Sequence, residues 1–174
     1  KSGFNFNSNK LDYIARFLNV GAKIEHRGFD MWKDVLSGCN KALKEMADYC
    51  KSLGYEYLGI CDHSKTAFYA QGLSIERVLE QQQEIDQLNS QYQSFKILKG
   101  IESDILNDGS LDYPDDILKS FDFVVASIHS NLKMNEEKAT ERLIKAIENP
   151  YTNILGHPTG RLLLARTGYS INHK

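Results

Sequence analysis

The chain has 174 residues, enough for one domain with a substantial core. Hydrophobic residues make up 41% and charged residues 25%, and a formal net charge of −2 argues against a strongly basic surface that wraps nucleic acid unaided, though not against a nuclease whose metal ions supply positive charge. Runs such as Phe123-Val124-Val125-Ala126 are far too short to span a bilayer, and Lys1-Ser2-Gly3-Phe4-Asn5 shows neither a signal core nor a cleavage pattern.

The first 40 residues carry little pattern beyond one amphipathic stretch, Leu11–Leu18, after a polar lead-in of Asn5, Asn7, Ser8 and Asn9. We therefore divide the chain into a lead-in segment, 1–40, and a βα portion, 41–174. Ala42, Leu43, Met46, Ala47, Cys50 and Leu53 recur at helical spacing, and Gly54 ends that helix. Tyr55 to Cys61 reads as a short buried strand running into Asp62-His63-Ser64. Ser74 is a candidate N-cap for a helix with Ile75, Val78, Leu79, Ile85 and Leu88 on its apolar face, interrupted by Gln82.

Phe95–Leu98 is the next strand, entering Gly100-Ile101-Glu102, with a turn at Asn107-Asp108-Gly109. Tyr113–Lys119 reads as a short helix and Phe123–Ile128 as a buried strand ending at His129. Glu136–Glu148 is helical with Ala139, Leu143, Ile144 and Ile147 inward, stopped by Asn149-Pro150. Asn153-Ile154-Leu155 then leads to Gly156-His157-Pro158. The βαβα rhythm predicts a parallel sheet with helical crossovers, open or closed into a barrel. Cys39, Cys50 and Cys61 lack CxxC spacing and read as free thiols of a reducing cytoplasm.

His63, Glu102, His129 and His157 each follow an apolar strand, at separations of 39, 27 and 28 residues. Successive C-terminal strand ends of a parallel barrel surround one mouth, so such side chains converge. A single histidine after a strand is ordinarily a hydrogen-bonded loop residue. Four ligand-type residues, each at a strand exit, call for a common cause. Three imidazoles and a carboxylate suit zinc, manganese or iron. Asp62 either orients the His63 imidazole or caps the turn with Ser64. Cys61, lying within a strand, reads as a small buried residue and not a nucleophile. Lys133 and Arg161 are the cations nearest the proposed cluster; either could meet phosphate or stand as a solvated surface charge. His26 and His173 read as surface residues. No GxGxxG or Walker-type cradle is present.

Four motifs in order resemble one family. Cys61-Asp62-His63-Ser64-Lys65, Gly100-Ile101-Glu102-Ser103-Asp104-Ile105-Leu106 with Asp108-Gly109-Ser110-Leu111-Asp112-Tyr113, Val125–Ser130, and Leu155–Leu164 are similar to segments of the polymerase and histidinol phosphatase (PHP) domain. The likeness runs from about Leu43 to Tyr169 and favours the C-terminal PHP domain of bacterial X-family DNA polymerases. It implies a distorted (β/α)7 TIM-like barrel, incomplete in this chain, with up to three divalent metals at its mouth. Manganese or zinc is expected first, iron or magnesium next. By the matching positions it implies His63, Glu102, His129 and His157 as ligands, with Glu102 bridging.

The resemblance further implies a phosphoesterase of 3′–5′ exonuclease type that cleaves DNA with metal-activated water, serves DNA repair in the cytoplasm, and accompanies an N-terminal polymerase region. A small-molecule monoesterase of histidinol-phosphatase type and a non-catalytic PHP module are the alternatives. Two departures bear on this. The family's HxH and SDG elements have no match in Arg27–Gly38, where Asp30 and Trp32, or Met31 and Lys33, occupy the two histidine positions. A late Asp-x-His motif is also missing. The expected activity of this chain itself is therefore weak or absent.

Overall fold

The computed structural model describes residues 40–161, 164 and 167–172. The Leu11–Leu18 stretch, His26, Arg27–Gly38, Cys39 and His173 lie outside the described residues. Within them the element order is α1 (Asn40–Ser52), β1 (Tyr57–His63), a 3-10 turn (Phe68–Ala70), α2 (Ile75–Asn89), β2 (Lys96–Asp104), α3 (Asp115–Leu118), β3 (Phe123–Ser127), α4 (Glu136–Glu148) and β4 (Ile154–Leu155). The four strands form a parallel sheet in the order β1-β2-β3-β4. This α/β arrangement is compatible with part of a TIM-like fold. No helix among the described residues is long and apolar enough to cross a membrane.

Strand alternation sorts the sheet into two faces. Ile60 of β1, Ile97 and Ile101 of β2, and Val124 and Ala126 of β3 point toward the helices. Leu43 and Ala47 of α1 and Ile85 and Leu88 of α2 close over Ile60 and Ile97. Val78 of α2, Leu118 of α3 and Leu143 of α4 close over Ile101 and Val124. The opposite face carries Gly59, Gly100 and Phe123, then His63, Glu102 and Asp104 toward the strands' C-terminal ends. The Phe123 ring covers both glycines: a Cβ at Gly100 would lie 2.1 Å from its Cζ, and one at Gly59 3.1 Å.

The expected Ser74 cap is present: its side chain accepts from the backbone N–H of Arg77. Asn135, not singled out in the sequence, caps α4 by accepting from the N–H of Lys138. Several burial expectations need correction. The first strand begins at Tyr57, not Tyr55, and only Ile60 in it is buried, with Tyr57, Gly59 and Cys61 exposed; β2 is its sole partner among the described strands. Cys61 is exposed, not buried.

In α2 it is Gln82 that lies in the buried face, donating to Ser120 Oγ at 2.8 Å, while Leu79 points outward. In α4 Arg142 and Ala146 are buried, and Ile144 and Ile147 are exposed. Arg142 sits inside because its guanidinium has acceptors there. It donates to the carbonyls of Leu106 at 2.7 Å, Ser130 at 3.0 Å and Ile105. One side chain thereby ties the loops leaving β2 and β3, the loops that frame the site.

Candidate metal centre

Parallel register sets His63 at the end of β1 directly beside Glu102 of β2. His129 follows β3 by two residues and His157 follows β4 by two. Glu102 is the hub. Its Oε2 lies 3.6 Å from His63 Nδ1, and its Oε1 lies 3.3 Å from His129 Nε2 and 3.1 Å from His157 Nε2. The His129 ring stands edge-on to both other imidazoles, at 4.9 Å from His63 and 5.1 Å from His157 between centroids. Among the described residues, His63, Glu102 and His129 form a group whose ligand atoms all lie within 4.8 Å of one another. His157 lies outside that group, joined to it through Glu102 and the edge of the His129 ring, and is more exposed. Its backbone is held at φ +23°, a conformation that L residues adopt at a cost and that clusters at functional sites.

Electrostatics follow from this crowding. Burial opposes ionisation of Glu102, yet the nearby Ser127 hydroxyl and the His63, His129 and His157 imidazoles outweigh it and hold the carboxyl below the usual range. The Ser127 oxygen itself completes no hydrogen bond of normal geometry. His129 is raised, first by its hydrogen bond to Asp104 and then by the charges of Asp104 and Glu102, against burial.

Asp104, which the sequence reading passed over as a candidate, contacts the cluster directly. Its Oδ1 meets His129 Nδ1 at 2.5 Å, and its Oδ2 accepts from Thr66 Oγ1 at 2.9 Å. Thr66 is itself anchored by Asp112 Oδ2, which accepts from its backbone N–H at 2.8 Å. The signal was available: Glu102 and Asp104 are two apart on one strand and so share a face.

Asp62, one position from His63, points to the other face. There its Oδ2 accepts from Gln81 Nε2 of α2 at 2.7 Å. Arg161 and Lys133 are both exposed, four residues beyond His157 and His129 respectively. The Cys61 thiol is pushed up to about 12 by desolvation first and by Glu102 and Asp62 second, so it supplies no thiolate near neutral pH.

The donor set fits a divalent cation. His63 Nδ1 is buried without a hydrogen-bond partner and faces a carboxylate oxygen across 3.6 Å. In the tautomer whose Nδ1–H donates to Asp104, the His129 Nε2 lone pair also faces Glu102. Lone pairs opposed to a carboxylate are satisfied by protons or by a shared cation. His63, Glu102 and His129 would hold that cation, with His157 beside them.

No protein-family model matches the chain. The chain is 47% identical over 131 residues to the DNA polymerase/3′-5′ exonuclease PolX of Bacillus subtilis, covering 75% of this chain and 23% of that protein. The resemblance to the PHP domain of bacterial X-family DNA polymerases holds. Probable phosphatases are similar as well. One from Acetivibrio thermocellus is 32% identical over 122 residues, 67% of this chain and 47% of that protein. Another, from Caldanaerobacter subterraneus, is 45% identical over 67 residues, 36% of this chain and 26% of that protein. The chain thus spans less than half the length of each of these relatives. His63, Glu102, His129 and His157 lie on the strand ends and loops that carry the four motifs.

Proposed function

We propose that this PHP-type domain is a metal-dependent phosphoesterase that hydrolyses DNA phosphodiesters from 3′ ends. The observation that carries the reading is the convergence of His63, Glu102 and His129 at adjacent C-terminal strand ends, with His63 Nδ1 buried and unpartnered. The relative named as a 3′-5′ exonuclease supports the substrate. What a divalent cation, manganese or zinc, supplies here when bound is Lewis-acid activation of water and of the phosphoryl group. A complete family site would hold up to three.

The chain's own residues do the rest. Asp104 fixes the His129 ring and its Nδ1 proton, which leaves Nε2 as a donor atom toward Glu102. Thr66 and Asp112 hold Asp104 in turn. Glu102, kept ionised, reaches three imidazoles and so ties the donors from three strand ends. Arg161 and Lys133 supply cations for phosphate oxygens, Arg161 through its planar fork. In the same reading an N-terminal polymerase region accompanies the domain, and the protein works in the cytoplasm on DNA under repair.

The relatives named as probable phosphatases favour a second reading, a small phosphate monoester as substrate. Both are tested by incubating the protein with manganese and either a 5′-labelled oligonucleotide or histidinol phosphate, beside a His129→Ala control. His129-dependent shortening of the oligonucleotide supports the first reading. Phosphate release from the monoester alone moves the assignment to the second. If neither substrate is cleaved and the purified protein binds no metal, the domain is non-catalytic.

A further inference from the structure

Between His63 and Leu73 the chain makes a tight loop that leaves two consecutive aromatic side chains in solvent. Phe68 is 85% exposed and Tyr69 71%. The loop that carries them is closed at several points. Ala67 is fully buried and its N–H donates to the Ser64 carbonyl at 3.0 Å; the Leu73 N–H donates to the His63 carbonyl at 2.9 Å. Thr66 is tied to Asp104 and Asp112, and Gly72 packs so closely that a Cβ there would lie 1.8 Å from the Ser64 oxygen. Gln71 turns the chain with φ +55°. A loop built this firmly holds Phe68 and Tyr69 at a fixed place in water.

For Tyr69 that place is the rim of the candidate metal centre, and Phe68 is its neighbour on the same 3-10 turn. The Tyr69 ring lies 5.9 Å from the His63 ring and 6.1 Å from the His129 ring. A phosphodiester at His63, Glu102 and His129 would carry its nucleobase one sugar away, toward the nearest flat surface. An aromatic face stacks on any base without reading its identity. With a formal charge of −2 the chain adds little long-range attraction to what Arg161, Lys133 and a bound cation give the phosphate, so stacking on a base would add to the affinity.

We propose that Phe68 and Tyr69 form a stacking platform for the terminal nucleobase of single-stranded DNA. The proposal deepens the phosphoesterase reading and rests on it for where the phosphate sits.

The test is fluorescence anisotropy with 5′-labelled oligonucleotides whose last linkage is a phosphorothioate, in manganese. One ends in an ordinary 3′ nucleotide and the other in an abasic residue. The protein should prefer the base-bearing end by about 5- to 150-fold. Phe68→Ala/Tyr69→Ala should abolish that preference, and Phe68→Trp/Tyr69→Trp should keep it, with circular dichroism confirming that each variant folds. Equal binding of the two ends, or a preference that survives the double alanine change, overturns the platform. So does self-association that the alanine pair abolishes where no base preference exists, since the aromatics then serve a protein interface. Hydrolysis of the unmodified oligonucleotide, run alongside, separates the two readings. Base preference without hydrolysis removes the phosphoesterase and leaves the platform; hydrolysis without base preference does the reverse.

Discussion

Asp104 Oδ1 lies 2.5 Å from His129 Nδ1, and this contact decides which imidazole nitrogen faces Glu102. A carboxylate there keeps the proton on Nδ1 and the lone pair on Nε2. Asp104→Asn can turn an amide N–H toward Nδ1 instead, which favours the other tautomer and puts a proton on Nε2. Manganese affinity should fall about 10- to 100-fold, measured by titration against a competing chelator. Asp62→Asn, on the far side of the sheet with Gln81, should have a much smaller effect. Equal losses in the two variants would remove Asp104 from its orienting role.

The same pair fixes how the metal-free protein responds to pH. His129 is raised above its usual 6.5 by Asp104, so it contributes stability fully below 6.5 and loses it as pH rises through the higher folded value. Asp104 is lowered from 3.8: burial works against it, but the hydrogen bonds from His129 and Thr66 win. Its contribution is therefore present above 3.8 and disappears as pH falls through the lower folded value. Urea midpoints in chelator should peak between these limits. His129→Gln should flatten the alkaline side of that profile; an unchanged alkaline side would mean that the pair does not stabilise the fold. Metal binding should strengthen over the same alkaline range, because the cation displaces the proton on His129.

What could be read from the sequence and what could not divide along one physical line. Glu136–Glu148 was legible because its apolar residues recur at helical spacing and Asn149-Pro150 closes it; the Asn135 cap at its start is what the structure adds. The placement of His63, Glu102, His129 and His157 was legible because apolar runs end beside them. Gln82, Arg142 and Asp104 were not, since each is buried by a partner remote in sequence: Ser120, the loop carbonyls, and His129 with Thr66. Apolar periodicity assigns Leu79, Ile144 and Ile147 inward for the same reason in reverse. It cannot register that a polar side chain has found acceptors inside. The backbone of His157, with φ +23°, leaves no mark in composition or spacing.

Arg142 gives the sharpest test of that burial. It is 2% exposed and donates to the carbonyls of Ile105, Leu106 and Ser130. Arg142→Met retains most of the side-chain volume but leaves those oxygens unpaired in the interior. The expected loss is about 2–4 kcal/mol in urea unfolding. Because the loops after β2 and β3 come from the same tie, manganese affinity should drop as well. A variant as stable as the parent would show that water replaces the guanidinium at no cost.

A packed ring forms the floor beneath the candidate metal centre. The Phe123 ring lies in a trough made by Gly59 of β1 and Gly100 of β2, on the sheet face that carries Glu102. A Cβ at Gly100 would sit 2.1, 2.5 and 2.6 Å from three ring carbons, so the ring must leave its present place. It has little room to slide toward β1, where the Gly59 position already meets it at 3.1 Å. Gly100→Ala should therefore cost about 1–3 kcal/mol by overpacking, since a crowded side chain is forced off its rotamer or the strands shift. Phe123→Leu alone should also destabilise, by lost contact and a small void. Combined, the two changes should cost less than their sum, because leucine vacates the space the new methyl needs. The double-mutant cycle in urea measures this directly. Strict additivity would show that the ring rotates away freely, and that the two glycines are not there to seat it.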